Sequence, residues 1–229
     1  MALAAAALAG CGGSKAPSGA DRAAVRMPEI GKVPAGVLLR EQQPRFSPEV
    51  VMLGAREATE IWIPVAPLSE IDADLAKIRQ TYPALAKFKP SISATDILFV
   101  TLKPDVAFAD AWEAGRLETG EAELDAVLRH FNAVSVSRSF GKTFAVQFAQ
   151  SLNLEQLGPV VQATSTAVEL ANGDFFMGEV PEILRSKAAD ARVYTFIDGC
   201  DSPAGCTDRH TWVLRFTPDG ALTMSETTT

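Results

Sequence analysis

Between residues 97 and 170 the spacing of apolar side chains switches from a two-residue to a helical period and back, twice, and no other stretch limits the fold as tightly. Residues 97–103, Ile-Leu-Phe-Val-Thr-Leu-Lys, form a β-rich run in which alternate side chains share one side of a strand. Across 121–131, Leu124, Val127, Leu128 and Phe131 recur at helical spacing. Residues 133–140 and 143–149 alternate again around a tight Gly141-Lys142 turn. Asn153 with Gln156 predicts a capped turn, Gly158-Pro159 a helix restart with proline at its first position, and 167–170 an edge strand. Residues 105–115 add a helical turn or two before the first main helix.

In chain order these elements read βαββαβ, which predicts an α+β protein with a ferredoxin-like core, a four-stranded antiparallel sheet with both helices on one face. Strict alternation directs Leu98, Val100, Leu102, Val134, Val136, Phe144, Val146, Phe148, Val168 and Leu170 toward the helices. The opposite face receives Ile97, Phe99, Thr101, Ser135, Ser137, Ser139, Thr143, Ala145, Gln147 and Glu169. Ile97 and Phe99 side by side predict cover, from the C-terminal hairpin or from another protein. Ile97, Phe99, Thr101 and Gln147 are therefore the candidate protein-binding residues.

The flanks divide into smaller units. Residues 50–53 and 59–65 read as two β-type runs across a Gly54-Ala55-Arg56-Glu57 turn. Ser69 then reads as an N-cap with Asp72 behind it, and Ile71, Leu75 and Ile78 share a helix face ending near Tyr82-Pro83. Residues 49–95 are thus a small βα subregion, and 96–175 the core domain. Beyond a connector containing Glu, Arg and Lys, 192–197 and 211–216 alternate as strands flanking the Cys200 to Cys206 loop. Asp219-Gly220 turns into a last strand at 221–224, so 190–226 is a C-terminal β-hairpin, with 225–229 expected to be disordered.

Of 229 residues, 47% are hydrophobic and 21% charged, enough apolar material for one full domain or two small ones. A net charge of −7 argues against a nucleic-acid partner, since counterion release needs a basic face. The chain carries no Gly-x-Ser-x-Gly elbow, phosphate loop or His-Glu-x-x-His helix, and no cofactor or metal is expected. His130, off its helix's apolar stripe, reads as a solvated helix residue. His210, with Asp208 and Arg209 nearby, is the better general base for a hydrolase alternative. Glu118, Glu121, Glu123 and Asp125 suit a helix start, where negative charge complements the macrodipole.

Two resemblances bear on function. Leu8-Ala9-Gly10-Cys11, after a short run of Ala and Leu, resembles the lipobox of bacterial lipoproteins, although no Lys or Arg precedes the run. It implies a signal peptide over 1–10, cleavage before Cys11, lipid attachment at Cys11 and, with Gly12 following, an outer-membrane location. Residues 11–48, punctuated by five prolines, then read as lipid anchor and tether. With Cys11 so used, Cys200 and Cys206 are left as a pair, and outside the cytoplasm they are expected to form a disulfide rather than a metal site. The segment 96–172, through its Ile97–Asp105, Phe144–Phe148 and Ala167–Ala171 stretches, resembles the propeptides of subtilisin-type proteases and related peptidase inhibitors, though Asn172-Gly173-Asp174 replaces the usual tail. That resemblance implies the fold and a habit of binding protein through the sheet. The loop from Asp198 to Trp212 resembles a disulfide-pinned hairpin of secreted bacterial proteins and implies no activity. The expected function is a non-enzymatic, lipid-anchored envelope protein with a protein-binding or protease-inhibitor-like module. The alternatives are the His210 hydrolase and a purely structural lipoprotein.

Overall fold

A computed structural model describes residues 27–173, 181–188, 191–198 and 210–228. The lipobox with Cys11, and the Cys200/Cys206 pair, lie outside the described residues. The described chain is a mixed α+β protein with two four-stranded antiparallel sheets, each closed on one side by its own helices.

The first helix stands where a hairpin is expected. α1 (Pro48–Glu57) is capped by Ser47, whose side chain accepts from the Val50 amide at 3.3 Å, and it carries proline in its first turn. Residues 49 to 55 are all buried, and the unbroken apolar run Val50-Val51-Met52-Leu53, with its two β-branched valines, is why this stretch reads as a strand. Glu49 is buried there against Arg79, 2.7 Å away. The 59–65 run is not a strand either. It is an irregular segment tied by the Leu38 amide to the Ile63 carbonyl and by a single Val37–Pro64 bridge. Residues 37–48 therefore do not belong to an extended tether, since Leu38 is fully buried and 40–45 form a 3-10 helix.

α2 (Ala66–Thr81) begins before the expected Ser69 cap because Pro67 sits in its first turn, and it buries Ile71, Leu75 and Ile78 as their spacing predicts. Next come β1 (Ile97–Leu102), α3 (Ala109–Glu113), α4 (Ala122–His130), β2 (Ala133–Phe140), β3 (Thr143–Phe148), α5 (Leu154–Thr164) and β4 (Val168–Asn172). The four strands pair antiparallel in the order β2-β3-β1-β4. Leu124, Val127 and Leu128 from α4, Phe131 just past its end, and Leu157, Val160 and Val161 from α5 close one core with Leu98, Val100, Phe144 and Val146 of the sheet. α5 runs unbroken through Pro159, without the expected restart. Gly158 makes this feasible, since it has no Cβ to clash with the proline ring, and a Cβ there would lie 2.3 Å from the Ala171 carbonyl of β4.

The C-terminal part is a full sheet rather than a hairpin. β5 (Glu182–Ala188), β6 (Ala191–Ile197), β7 (His210–Phe216) and β8 (Leu222–Thr228) form an antiparallel meander. β8 continues through 225–228, where disorder is expected, because its backbone pairs with β7 from Leu222 to Thr228. Ile183, Tyr194, Phe196, Leu214 and Phe216 face α1 and α2 and form the second core with Leu53, Leu68, Ile71, Leu75 and Ile78. The helix–sheet joint also holds ions. Arg185 of β5 donates to Glu57 and Glu70, while Arg192 and the Tyr194 hydroxyl both donate to Asp74, at 2.7 and 3.0 Å. Burial pushes the Tyr194 hydroxyl above its ordinary value, and the Asp74 carboxylate reinforces that shift.

Candidate protein-binding face

The β1 register decides which residues share the side of the first sheet away from α4 and α5. Ile97 lies opposite Gln147, Phe99 opposite Ala145 and Thr101 opposite Thr143 on β3. All four candidate residues, Ile97, Phe99, Thr101 and Gln147, therefore occupy one face. Ser135 and Ser137 extend it across β2, opposite Gln147 and Ala145. Two polar pairs stitch it together, Thr101 with Thr143 at 2.9 Å and Ser135 with Gln147 at 3.3 Å.

Three register shifts alter the face expected from strict alternation, the one at the far end of β2 setting Phe140 in place of Ser139 opposite Thr143. Leu102 pairs with Val168 but Thr101 pairs with Leu170, so Glu169 is an extra residue in β4. One inserted residue reverses every later side chain, so Leu170 joins the open face and Ala171 enters the core. Gln162 of α5 donates to the Glu169 carbonyl at 2.9 Å and satisfies the bulged backbone. A second irregularity, between Ala133 and Ser135, turns Val134 outward, where it is 50% exposed. Val134 and Leu170 thus do not point to the helices, and Leu170 was missed as a face residue because nothing in its own sequence marks a bulge.

The resulting strip of Ile97, Phe99, Thr101, Ala145, Gln147 and Leu170 is uncharged. Its apolar members are half-buried, yet Ile97, Phe99, Ala145 and Leu170 belong to neither core. The described part of the C-terminal sheet turns its own apolar face to α1 and α2 instead. Cover of this face by the described tail strands, one of the two expectations, is therefore not what the fold uses.

Of the two histidines, His210 is the candidate base, and its expected neighbours Asp208 and Arg209 lie outside the described residues. His210 is half-buried, stacks on Trp212 at 5.6 Å, and has the Glu226 carboxylate (3.2 Å) and the Thr228 hydroxyl (3.5 Å) both beside Nδ1. His130 is not a solvated residue. Its ring is wedged edge-on to Trp62 and Phe131, and burial lowers its pKa from the ordinary imidazole value. Among the described residues no cluster of three or more His, Cys, Asp or Glu side chains is placed to hold a metal ion, and no helix is long and apolar enough to cross a membrane. Asp125 is occupied locally, accepting from the Thr119 amide and hydroxyl at 2.8 Å each, so the acidic run organises the start of α4.

No family model matches the chain, and neither a curated protein nor a solved structure matches it.

Proposed function

We propose that this is a non-enzymatic, lipid-anchored envelope protein that binds another protein through the open face of its first sheet. The observation that carries the reading is the half-buried, uncharged strip of Ile97, Ala145 and Leu170, flanked by Gln147, that lies outside both cores. A strip of this kind suits the desolvated centre of an interface, where charged residues are depleted. The order β2-β3-β1-β4, all antiparallel, together with α4 and α5 on one face, supports a ferredoxin-like reading of residues 96–175. Likeness to subtilisin-type propeptides makes a protease of that type the first partner to try. The lipobox at Cys11 supports anchoring, and the Cys200–Cys206 disulfide is the oxidised form expected in an envelope compartment.

The test uses Ile97→Lys, which places a charge at the centre of the strip and leaves both cores intact. Purified wild-type chain should slow a subtilisin-type protease at near-stoichiometric ratios. Ile97→Lys should weaken that inhibition at least about tenfold, roughly 1.4 kcal/mol of binding, with the unfolding temperature almost unchanged. Equal inhibition by both proteins would remove the face from the account, and no inhibition by wild type would remove the protease as partner.

A further inference from the structure

Residues 28–35 cross the surface without joining any helix or strand, and they hang over a cavity of about 490 Å³ rather than packing down. Beyond them the chain is fastened firmly, by the Leu38 amide to Ile63 at 2.7 Å and the Val65 amide to Gly36 at 2.9 Å. The strap itself has one hydrogen bond to the body among the described residues. The Gly31 amide donates to Nδ1 of His130 at 2.9 Å, across 99 positions of sequence. Its geometry is prepared locally. Gly31 has φ +90 at the third position of a turn in which the Lys32 amide returns to the Glu29 carbonyl, a conformation that favours glycine.

An amide donor at Nδ1 requires that nitrogen to be bare, so the neutral ring carries its proton on Nε2. Nε2 is enclosed and has no hydrogen-bond partner among the described residues, with the ring edge-on to Trp62 at 5.8 Å. Protonation would set a second N–H against the Gly31 N–H, leaving two donors face to face and no acceptor. The charged groups around the ring come from three elements. Glu29 and Lys32 of the strap pair with each other at 3.1 Å, Glu60 lies on the cavity wall beside Trp62, and Arg129 precedes His130 on α4. The carboxylates favour a charged ring and the enclosure opposes it, and the enclosure dominates.

We propose that the Gly31–His130 hydrogen bond is a proton-released latch, which holds residues 28–35 on the body while His130 is neutral and frees them when it is charged. The latched state binds fewer protons than the open one. Its stability is therefore full above the ordinary imidazole value near 6.5 and falls by up to about tenfold per pH unit below it. Release would add eight residues of extended chain, roughly 25 Å at about 3.1 Å per residue, to whatever precedes them. The latch does not depend on the protein-binding face.

Amide hydrogen exchange and ring ¹⁵N shifts on the full chain test it. In the wild type the Gly31 protection factor, corrected for intrinsic exchange, should be level near pH 8 and fall from about pH 6.5 toward pH 5, by up to about tenfold per unit. Leu38 protection should stay constant over that range, and His130 should show the Nε2–H tautomer at pH 8. His130→Asn retains an acceptor near the Nδ1 position but cannot titrate, so its Gly31 protection should not change with pH. The latch is overturned by an Nδ1–H tautomer, by Leu38 and Gly31 losing protection together, or by the same pH profile in His130→Asn. If that variant leaves Gly31 unprotected at every pH, the wild-type Gly31 profile measured against Leu38 decides.

Discussion

Arg185→Met is expected to destabilise the protein by about 2–4 kcal/mol, a little below the usual loss on breaking a buried ion pair. The Arg185 side chain has zero exposure, its guanidinium donates to Glu57 and Glu70, and it lies over the Tyr194 ring at 5.5 Å. Removing it strands two carboxylates, but these are 20% and 40% exposed and regain part of their hydration, which moderates the loss. Neutralising the acids as well, in Arg185→Met with Glu57→Gln and Glu70→Gln, should restore most of the stability. The pH dependence has a definite sign. Burial acts to raise the Glu70 pKa, but Arg185, Lys187 and Arg192 outweigh it and hold the carboxyl below its ordinary value. Its contribution is therefore present above the ordinary carboxylate range and lost as pH falls through the lowered value, so the gap between wild type and Arg185→Met should narrow below about pH 4. Urea unfolding at pH 7 and pH 3.5 measures both. An undiminished gap at the lower pH would mean that Arg185 acts by packing alone.

Trp112→Ala should cost more, about 3–5 kcal/mol, as deletion of a large buried aromatic does. Trp112 has zero exposure, packs on Phe108 at 5.1 Å and Phe144 at 5.5 Å, and donates from its indole nitrogen to the Leu117 carbonyl at 3.2 Å. Trp112→Phe separates the two contributions. It keeps most of the ring and loses the bond to Leu117, so it should cost much less than the alanine change, with the hydrogen bond contributing about 1 kcal/mol. Denaturant midpoints of the two variants give the comparison, and equal losses would assign the residue's role to the bond instead of the volume.

The legible part of the fold was the part where one face is apolar and the period is clean. β1, α4, β2 and β3 lie where their spacing puts them, and Ile71, Leu75 and Ile78 line the buried side of α2. Three other places follow a different logic. Along α1 every position from Glu49 to Ala55 is buried, and the continuous run Val50-Val51-Met52-Leu53 with its β-branched valines dominates the reading, although Ser47-Pro48 marks a helix start. β5 inverts the usual pattern, since Arg185 points inward to Glu57 and Glu70 while Leu184 is 40% exposed, and polar-out alternation therefore misses it. The second half of β8, Ser225 to Thr228, is polar throughout and is held by its backbone pairing to β7. The candidate face was legible to the same extent. Ile97, Phe99, Thr101 and Gln147 follow from alternation, whereas Leu170 reaches the face only through the Glu169 bulge, which depends on α5 and its Gln162. His130 required the strap and Trp62, both remote in sequence.

The central claim, that a protein occupies the open face, is tested most directly by a photo-crosslinking amino acid at position 147 in cells making the full-length chain. Gln147 is exposed and lies opposite Ile97, so a probe there leaves both cores undisturbed. A discrete adduct of fixed mass in the membrane fraction, lost in Ile97→Lys and missing when the probe sits at exposed Glu123 on α4, is the predicted result. A probe at 147 that yields no adduct beyond the Glu123 control, or one indifferent to Ile97→Lys, would contradict the account and leave this face as ordinary solvated sheet.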